Sequence, residues 1–408
     1  MSKTIIRGAL AAGVASVALA MSTTAAGAAE PVPSAASAAS ATLAATPAPS
    51  PSTTRPAAQA PVLPRSTGPH RVGTTTLHLV DGSRPDPWVP SVKKRELMVS
   101  LWYPAKPSGG RRAPYMTAEE STLLLKEQKV TGMPGDVLSR TRTNAIADAA
   151  PTGRRNGLPL VVLSPGFTMP RSSLTILAED LASRGYVVAG IDHTYESFGT
   201  SLPGGRTATC VACPSASADF MAFGAKAAKG RQADVSFVLD RLTGRHPVWK
   251  GSELIDRSQV GMAGHSLGGA STSWTMVNDS RVRAGINMDG TFFVPIPKKG
   301  LSRPFLILGS SDGLPGTDAT WDRAFERMTG WKRWLTFEGA GHGSFTDYSR
   351  LSEQIGVDLG TTLKGARAVE ITREYVAAFF DQHLRRQPQP QSLLDRPSRR
   401  YPEVRFWR

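Results

Sequence analysis

A serine, an acid and a histidine that could together perform nucleophilic catalysis occur in this chain in a suggestive order. Residues 264–268 read Gly-His-Ser-Leu-Gly, which fits the pattern G-x-S-x-G around Ser266. A serine hydroxyl is a weak nucleophile until an adjacent base activates it, and the base in turn needs an acid to orient it. Where the serine lies on a strand–turn–helix, the chain order is serine, acid, histidine. Ser266 is the predicted nucleophile.

The segments around Ser266 supply the context that this short pattern requires. A chain with 39 glycines can produce G-x-S-x-G by chance, so a strand must precede the motif and a helix must follow it. Residues 260–263 favour a strand and residues 269–276 favour a helix. Residues 309–313 also fit the pattern around Ser311, but Pro315 and Gly316 follow, where a helix would have to begin. Ser311 is therefore not predicted as the nucleophile.

The predicted base is His342, which lies between Gly341 and Gly343 after the last predicted strand. Of the seven histidines, His342 and His383 alone can follow both the serine and an acid. His193, at the end of a predicted strand, is the best rival for a place near the site.

Two aspartates could be the acid, and the residue pattern does not separate them. Asp289 and Asp312 each follow a predicted strand, and each is followed by glycine, so each is equally consistent with an ordinary turn. Either could orient the imidazole and stabilise its protonated form.

Negative charge that develops on a carbonyl oxygen needs fixed N–H donors, which form an oxyanion hole. One donor is expected from the residue after the nucleophile, Leu267, and the other from the loop after an earlier strand, where Phe167 lies. Side chains that could line an acyl pocket are Met169, Trp274, Phe292 and Phe293. No metal or organic cofactor is implied by this chemistry.

The elements that must position these residues alternate between short apolar strands and amphipathic helices. This alternation predicts an α/β protein of the α/β-hydrolase fold, with a mostly parallel central sheet and helices on both faces. Ligands of such sheets bind beyond the carboxyl ends of the strands. The predicted strands are residues 74–81, 96–103, 158–163, 186–191, 260–263, 284–288, 305–308 and 334–337.

The chain also divides into segments of different composition. Lys3 and Arg7 precede an apolar run that is too short to span a bilayer, followed by small residues. We therefore predict a secretory signal peptide at 1–29 and a secreted, extracellular protein with no transmembrane segment. Residues 30–69 are rich in Ala, Pro, Ser and Thr and predict a disordered linker. The predicted domain spans 70–388, with an insertion at 113–157, and a tail covers 389–408.

Charge and cysteine content restrict the partners. The formal charge is +15, but no run of five or more basic residues occurs, so nucleic acid is not an expected partner. The expected substrate is a small-molecule or lipid ester. The basic surface could in addition make peripheral contact with anionic lipid surfaces. Cys210 and Cys213, the only cysteines, predict a local disulfide in an exported protein.

Four segments resemble the platelet-activating factor acetylhydrolase family: residues 95–104, 264–269, 287–290 and 342–348. The likeness extends from about residue 74 to 388. It implies Asp289 as the acid and His342 as the base, and it implies short-acyl esters, including phospholipids with an acetyl or truncated chain, as substrates.

Residues 164–168, Ser-Pro-Gly-Phe-Thr, are similar instead to secreted bacterial cutinases and polyester hydrolases. That likeness places the acid near Asp312 and implies larger ester substrates. A lipase or polyester hydrolase is thus the alternative within the same reaction class. A non-catalytic binding protein that keeps the fold is the alternative outside it.

Overall fold

An eleven-stranded sheet organises the part of the chain described by the computed structural model, which covers residues 60–107, 109–388 and 392–407. The predicted signal peptide and the predicted linker up to residue 59 lie outside the described residues. The strand order is β13-β12-β11-β10-β9-β5-β6-β2-β1-β4-β3. The six strands from β12 to β6 pair in parallel, whereas β6–β2, β2–β1, β4–β3 and β13–β12 pair antiparallel.

The strands of this sheet are β1 Arg71–Asp81, β2 Arg95–Ala105, β3 Arg112–Pro114, β4 Arg142–Ala147, β5 Leu158–Ser164, β6 Val187–His193, β9 Ile255–His265, β10 Val282–Met288, β11 Phe305–Gly309, β12 Lys332–Phe337 and β13 Val404–Phe406. A separate hairpin consists of β7 Thr200–Leu202 and β8 Arg206–Ala208. The helices are α1 Ala118–Glu127, α2 Thr175–Ser183, α3 Cys213–Ala218, α4 Phe220–Thr243, α5 Leu267–Asn278, α6 Ala319–Arg327, α7 Tyr348–Ile355 and α8 Gly365–His383.

Helices cover both faces of the sheet because the strand side chains alternate between two apolar cores. On β5, Val161 and Leu163 pack with α2 and α8, whereas Leu160 and Val162 pack with α4 and α6. Both cores are fully buried, which explains why the strands read as continuous apolar runs in the sequence. The predicted α/β architecture, with a mostly parallel sheet between helices, is confirmed.

Three segments differ from their sequence-based description. Residues 404–406, within the predicted tail, form β13 and pair with β12 at the sheet edge. The segment 113–157, described as an insertion, contributes β4 and part of β3 to the other edge of the same sheet. Within the predicted linker, Leu63 is buried against α1 and α7. These pieces are too short for a periodic pattern to be detected, since such patterns are recognised over windows of about 11–18 residues.

Two smaller expectations can be compared with the structure directly. Cys210 and Cys213 form the predicted disulfide, which joins the loop before α3 to the first residue of that helix. Among the described residues, no helix is both long enough and apolar enough to cross a bilayer.

Candidate active site

Ser266 lies on a tight turn between β9 and α5, with φ +54° and ψ −121°. A positive φ is costly for a residue with a side chain and persists where the surroundings enforce it. The Ser266 N–H donates to the Met288 carbonyl at 2.8 Å. A Cβ atom on Gly268 would lie 1.9 Å from the Ser164 carbonyl oxygen, and one on Gly264 would lie 2.1 Å from the backbone of Gly268. Glycine is therefore required at both positions around the turn.

His342 faces the same cleft and is paired with Asp289. The histidine begins a short 3₁₀ turn after β12, and its Nδ1 lies 2.7 Å from Oδ2 of Asp289. Asp289 directly follows β10, and its other oxygen, Oδ1, accepts the Ser310 N–H at 2.8 Å. Burial raises the pKa of Asp289, but the hydrogen bond and charge of His342 outweigh it and hold that pKa below its ordinary value. The carboxylate is thus ionised and can fix the imidazole orientation.

The structure brings Asp289, and not Asp312, to the histidine. Asp312 is exposed on the loop after β11, and its carbonyl oxygen accepts a hydrogen bond from the Thr317 hydroxyl. Its neighbour Ser311 donates its hydroxyl to the Phe337 carbonyl at 3.3 Å. No helix starts after Ser311 until α6 begins at Ala319, as the proline and glycine in that loop predict. Both Ser311 and Asp312 therefore lack the strand–turn–helix geometry seen at Ser266.

His265 supports His342, a contact that the sequence reasoning did not anticipate. The two rings are 4.6 Å apart between centroids, and His265 Nε2 donates to the His342 carbonyl at 2.8 Å. Burial and the nearby His342 lower the pKa of His265 to about 3, so its ring is neutral near pH 7. The available signal in the sequence is the position of His265 directly before the predicted nucleophile, at the end of β9.

The residues that carry the two predicted oxyanion donors, Phe167 and Leu267, both line the cleft of Ser266. Leu267 is the first residue of α5, so its N–H has no carbonyl earlier in the helix to bond. Phe167 lies in the loop after β5, and its ring packs on Phe223 with centroids 4.5 Å apart. The next residue, Thr168, has φ +69°, and its N–H donates to the Glu196 carbonyl at 2.8 Å. The loop is therefore held on both sides of Phe167.

His193, the rival base, lies beneath this loop and is buried. Its Nε2 lies 2.9 Å from Oγ of Ser164, and its Nδ1 lies 2.7 Å from Oδ2 of Asp234 on α4. All three side chains are almost inaccessible to solvent. Burial lowers the pKa of His193, so the neutral ring donates from Nδ1 to Asp234 and accepts the Ser164 hydroxyl at Nε2. This buried trio resembles a catalytic relay in composition, but no substrate can reach it.

Buried charges complete the support of the loop that carries Phe167. Arg231 on α4 donates to the Pro165 carbonyl at 2.5 Å and to the Glu196 carboxylate at 2.8 Å. Arg95 on β2 donates to Asp234 at 2.9 Å and 3.1 Å. Burial raises the pKa of Asp234, but the charge of Arg95 and the hydrogen bonds from His193 and Arg95 hold it well below its ordinary value. Buried ions that are fully paired in this way hold the loop in one arrangement, because breaking a pair would leave the remaining charge buried without its partner.

The cleft above Ser266 has a volume of about 780 Å³ and is lined by many aromatic residues. Met169 and Phe293 line it, as expected from the sequence. Trp274 and Phe292 are absent from its lining, and Phe292 packs instead on Trp321 in the core with centroids 6.4 Å apart. Further aromatic lining residues, which sequence reasoning missed, are Phe167, Phe198, Phe220, Phe223 and Trp321.

The family model for platelet-activating factor acetylhydrolase, isoform II, matches residues 57–203 and 244–392. The chain belongs to this family. This match confirms the resemblance to the family that the four sequence segments indicate.

Relatives and solved structures agree on the reaction class. A ferulic acid esterase from Streptomyces cinnamoneus is 45% identical, superimposes with a TM-score of 0.76, and covers 86% of this chain and all of its own. A "Probable 1-alkyl-2-acetylglycerophosphocholine esterase" of Arthroderma benhamiae is 27% identical, covering 85% of this chain and 93% of that protein. A bis(hydroxyethyl) terephthalate hydrolase of Streptomyces coelicolor is 30% identical over 49% of this chain and 50% of its own. The protein is an ester hydrolase with an α/β-hydrolase fold.

The buried charges yield a prediction about stability. Asp234→Asn should lower the free energy of unfolding by about 3–5 kcal/mol at pH 7, because Arg95 then loses a charged partner in the interior. The folded-state pKa of Asp234 is depressed, so its contribution is complete at neutral pH and is lost as the pH falls through that pKa, below 3.8. The gap between wild type and variant should therefore narrow below about pH 4.

Chemical denaturation at several pH values measures this gap. The matched control is Asp240→Asn on the same helix, where an exposed carboxylate pairs with Arg281. That change should cost less than about 1 kcal/mol. If the two variants lost the same free energy of unfolding, the buried contacts of Asp234 would not stabilise the fold more than an exposed ion pair does.

Proposed function

We propose that the protein is a secreted serine hydrolase of carboxylic esters that forms an acyl-enzyme on Ser266. The observation that carries the proposal is the 2.7 Å contact between His342 and Asp289, in the cleft that Ser266 enters from a strained turn. A serine on such a turn, a histidine facing it and an ionised acid behind the histidine form a complete set for nucleophilic acyl transfer.

The proposed reaction has two halves that use the same groups. His342 takes the proton of Ser266 as the serine oxygen attacks the ester carbonyl, and Asp289 stabilises the resulting imidazolium. The N–H groups of Phe167 and Leu267 receive the negative charge on the carbonyl oxygen. The alcohol leaves with a proton from His342. Water then attacks the acyl-enzyme by the same route and releases the acid.

The acyl group is proposed to lie in the aromatic cleft of about 780 Å³. Its walls favour a small acyl group or a flat aromatic one, since aromatic rings pair through offset or edge contacts. The names of the relatives support both, since one is an esterase of an acetyl phospholipid and another a ferulic acid esterase. A short-acyl phospholipid is our first candidate from the family. A hydroxycinnamate ester is the second candidate, because this chain is 45% identical to the ferulic acid esterase.

Four substrates separate these candidates in parallel assays: an acetyl phospholipid, the long-chain form of the same phospholipid, methyl ferulate and bis(hydroxyethyl) terephthalate. A preference for the first by kcat/KM supports the phospholipid assignment, and a preference for methyl ferulate supports the second. Highest activity on the terephthalate ester would favour the polyester hydrolase alternative. Export is tested by N-terminal sequencing of protein recovered outside the cells, which should begin after a site near residues 20–29.

Ser266→Ala should reduce kcat for p-nitrophenyl acetate by about 10⁴-fold or more, because the nucleophile is lost while binding groups remain. Stopped-flow measurement should also show that the burst of acyl-enzyme formation disappears. The control is Ser311→Ala, in the second G-x-S-x-G segment, which should keep wild-type kcat.

An unchanged rate in Ser266→Ala would exclude the acyl-enzyme at this residue. Absence of turnover in the wild type on every ester tested would favour the binding-protein alternative.

Asp289→Asn should reduce kcat by about 10⁴-fold, the size seen where a triad aspartate is amidated in another hydrolase. An amide cannot stabilise the imidazolium, and it favours the wrong tautomer of His342. Asp312→Asn, on the exposed loop, should change kcat by less than about twofold. Steady-state kinetics measures kcat for both variants. Circular dichroism first checks that the purified proteins fold like the wild type. Loss confined to Asp312→Asn would transfer the role of the acid to that residue.

A further inference from the structure

Asp347 lies five residues after His342 and joins the turn that carries this histidine to the start of α2. The Asp347 side chain is buried. Its Oδ1 and Oδ2 accept the Ile176 N–H at 3.0 Å and 3.2 Å, and its own N–H donates to the Ser173 carbonyl at 2.8 Å. Ile176 is the second residue of α2, where an N–H has no acceptor within the helix. One residue thus makes a side-chain and a backbone contact with the same segment.

This segment continues directly from the loop that carries Phe167. Between Phe167 and α2 the chain forms a short 3₁₀ turn, Arg171–Leu174. The Arg171 N–H donates to Oδ1 of Asp192, near the end of β6, at 2.5 Å. The start of α2 is therefore attached to the sheet through Asp192 and to the turn of the histidine through Asp347.

The turn that carries His342 is held by its own hydrogen bonds, so its residues form one unit. The Gly341 N–H donates to Oγ of Ser344 at 3.0 Å. Oγ1 of Thr346 donates to the Gly343 carbonyl at 2.8 Å. A displacement at the far end of this turn would therefore be transmitted to the His342 ring.

The contact of Asp347 with α2 depends on a hydrogen-bond acceptor more than on a charge. Burial raises the pKa of Asp347 well above its ordinary value, although the hydrogen bond from the Ile176 N–H opposes the shift. The nearby Glu179 raises that pKa further. The interior thus favours the neutral carboxyl. An amide carbonyl can accept the same N–H, so asparagine should preserve the contact.

We propose that Asp347 is a positioning residue, which holds the turn of His342 at a fixed distance from the loop of Phe167. The proposal rests on the proposed function and deepens it, because the histidine and the oxyanion donors must act on the same ester group. Asp347 does not line the cleft above Ser266, so it acts through the turn of the histidine and not on the substrate.

Three substitutions at this position test the proposal. Asp347→Ala removes the acceptor and should reduce kcat for p-nitrophenyl acetate by about 10²-fold, with KM within about twofold, since a misplacement of about 1 Å has an effect of this size. Asp347→Asn should stay within about threefold of the wild-type kcat. Asp347→Glu keeps the carboxyl but adds a methylene, so it should lose about tenfold or more. Comparison of the Asn and Glu variants tests the proposal even where the Ala variant fails to fold.

The leaving group of the ester provides a readout that a loss of stability would not change. p-Nitrophenolate departs without a proton, whereas the ethoxide of ethyl acetate must receive one from His342 as it leaves. A misplaced histidine should therefore reduce kcat/KM for ethyl acetate at least about tenfold more than kcat/KM for p-nitrophenyl acetate. Steady-state kinetics well below the unfolding midpoint of each variant measures both values.

Asp279→Ala is the matched control. Asp279 is also buried, and its Oδ1 likewise accepts a backbone N–H, that of Arg281, at 3.1 Å. It directly follows α5, at the end of the helix opposite Ser266, and does not line the cleft. This variant should lose stability in chemical denaturation and keep the wild-type rates on both esters.

Three outcomes would overturn the proposal. The first is a wild-type kcat in Asp347→Ala, the second is an equal kcat in the Asn and Glu variants, and the third is an equal loss of kcat/KM on the two esters. Failure of the proposed function gives a different result, because Ser266→Ala would then hydrolyse both esters as fast as the wild type.

Discussion

The hydrogen bond from the Ser266 N–H to the Met288 carbonyl is the contact on which the geometry of the site depends. β9 and β10 are parallel, and their register places His265 opposite Met288. The residues that follow these two, Ser266 and Asp289, therefore leave the sheet side by side. Both have positive φ, which turns each chain sharply at the strand end. The pairing of two apolar strands thus sets both residues at neighbouring positions of the sheet edge, and the Ser310 N–H holds the Asp289 carboxylate there.

The same sheet edge supplies the remaining groups. β5 lies on the other side of β9, with Ser164 opposite Gly264, so the loop that carries Phe167 starts beside the turn that carries Ser266. The ring of Phe167 packs on Phe223, and polar contacts hold the backbone of the loop. Its position depends on buried hydrogen bonds from Arg231 and on the Ser164–His193–Asp234 contacts. Apolar packing therefore holds the strands in place, whereas ionic and polar contacts hold the backbone of the loop. These contacts are directional, so they define the position of a group more narrowly than the burial of apolar surface does.

The proposed catalytic groups and the walls around them come from different parts of the chain. Ser266, Asp289 and His342 follow strands of the central sheet. The walls of the cleft come largely from elsewhere: the end of α1 and its following loop from the segment before β5, and α3 and α4 beside the disulfide. Such peripheral segments can vary without disturbing the register of β5, β9 and β10. Relatives that share the fold can therefore bear names as different as acetylglycerophosphocholine esterase and ferulic acid esterase.

The sequence by itself was sufficient for the α/β architecture and for the disulfide, because each is encoded locally, by apolar periodicity or by cysteine spacing. It also predicted a strand–turn–helix at Ser266 and none at Ser311, from the residues that follow each glycine-flanked serine, and the structure has this geometry. The sequence left Asp289 and Asp312 open on the residues alone, since both follow strands and both precede glycine. Tertiary structure places Asp289 against His342, because Asp289 directly follows Met288, the last paired residue of β10. Asp312 lies three residues beyond the end of β11 and is exposed. The burial of His193, the support of His342 by His265 and the pairing of β13 were likewise decided in three dimensions. Each depends on contacts between residues that are distant in the chain, whose partners no local pattern specifies.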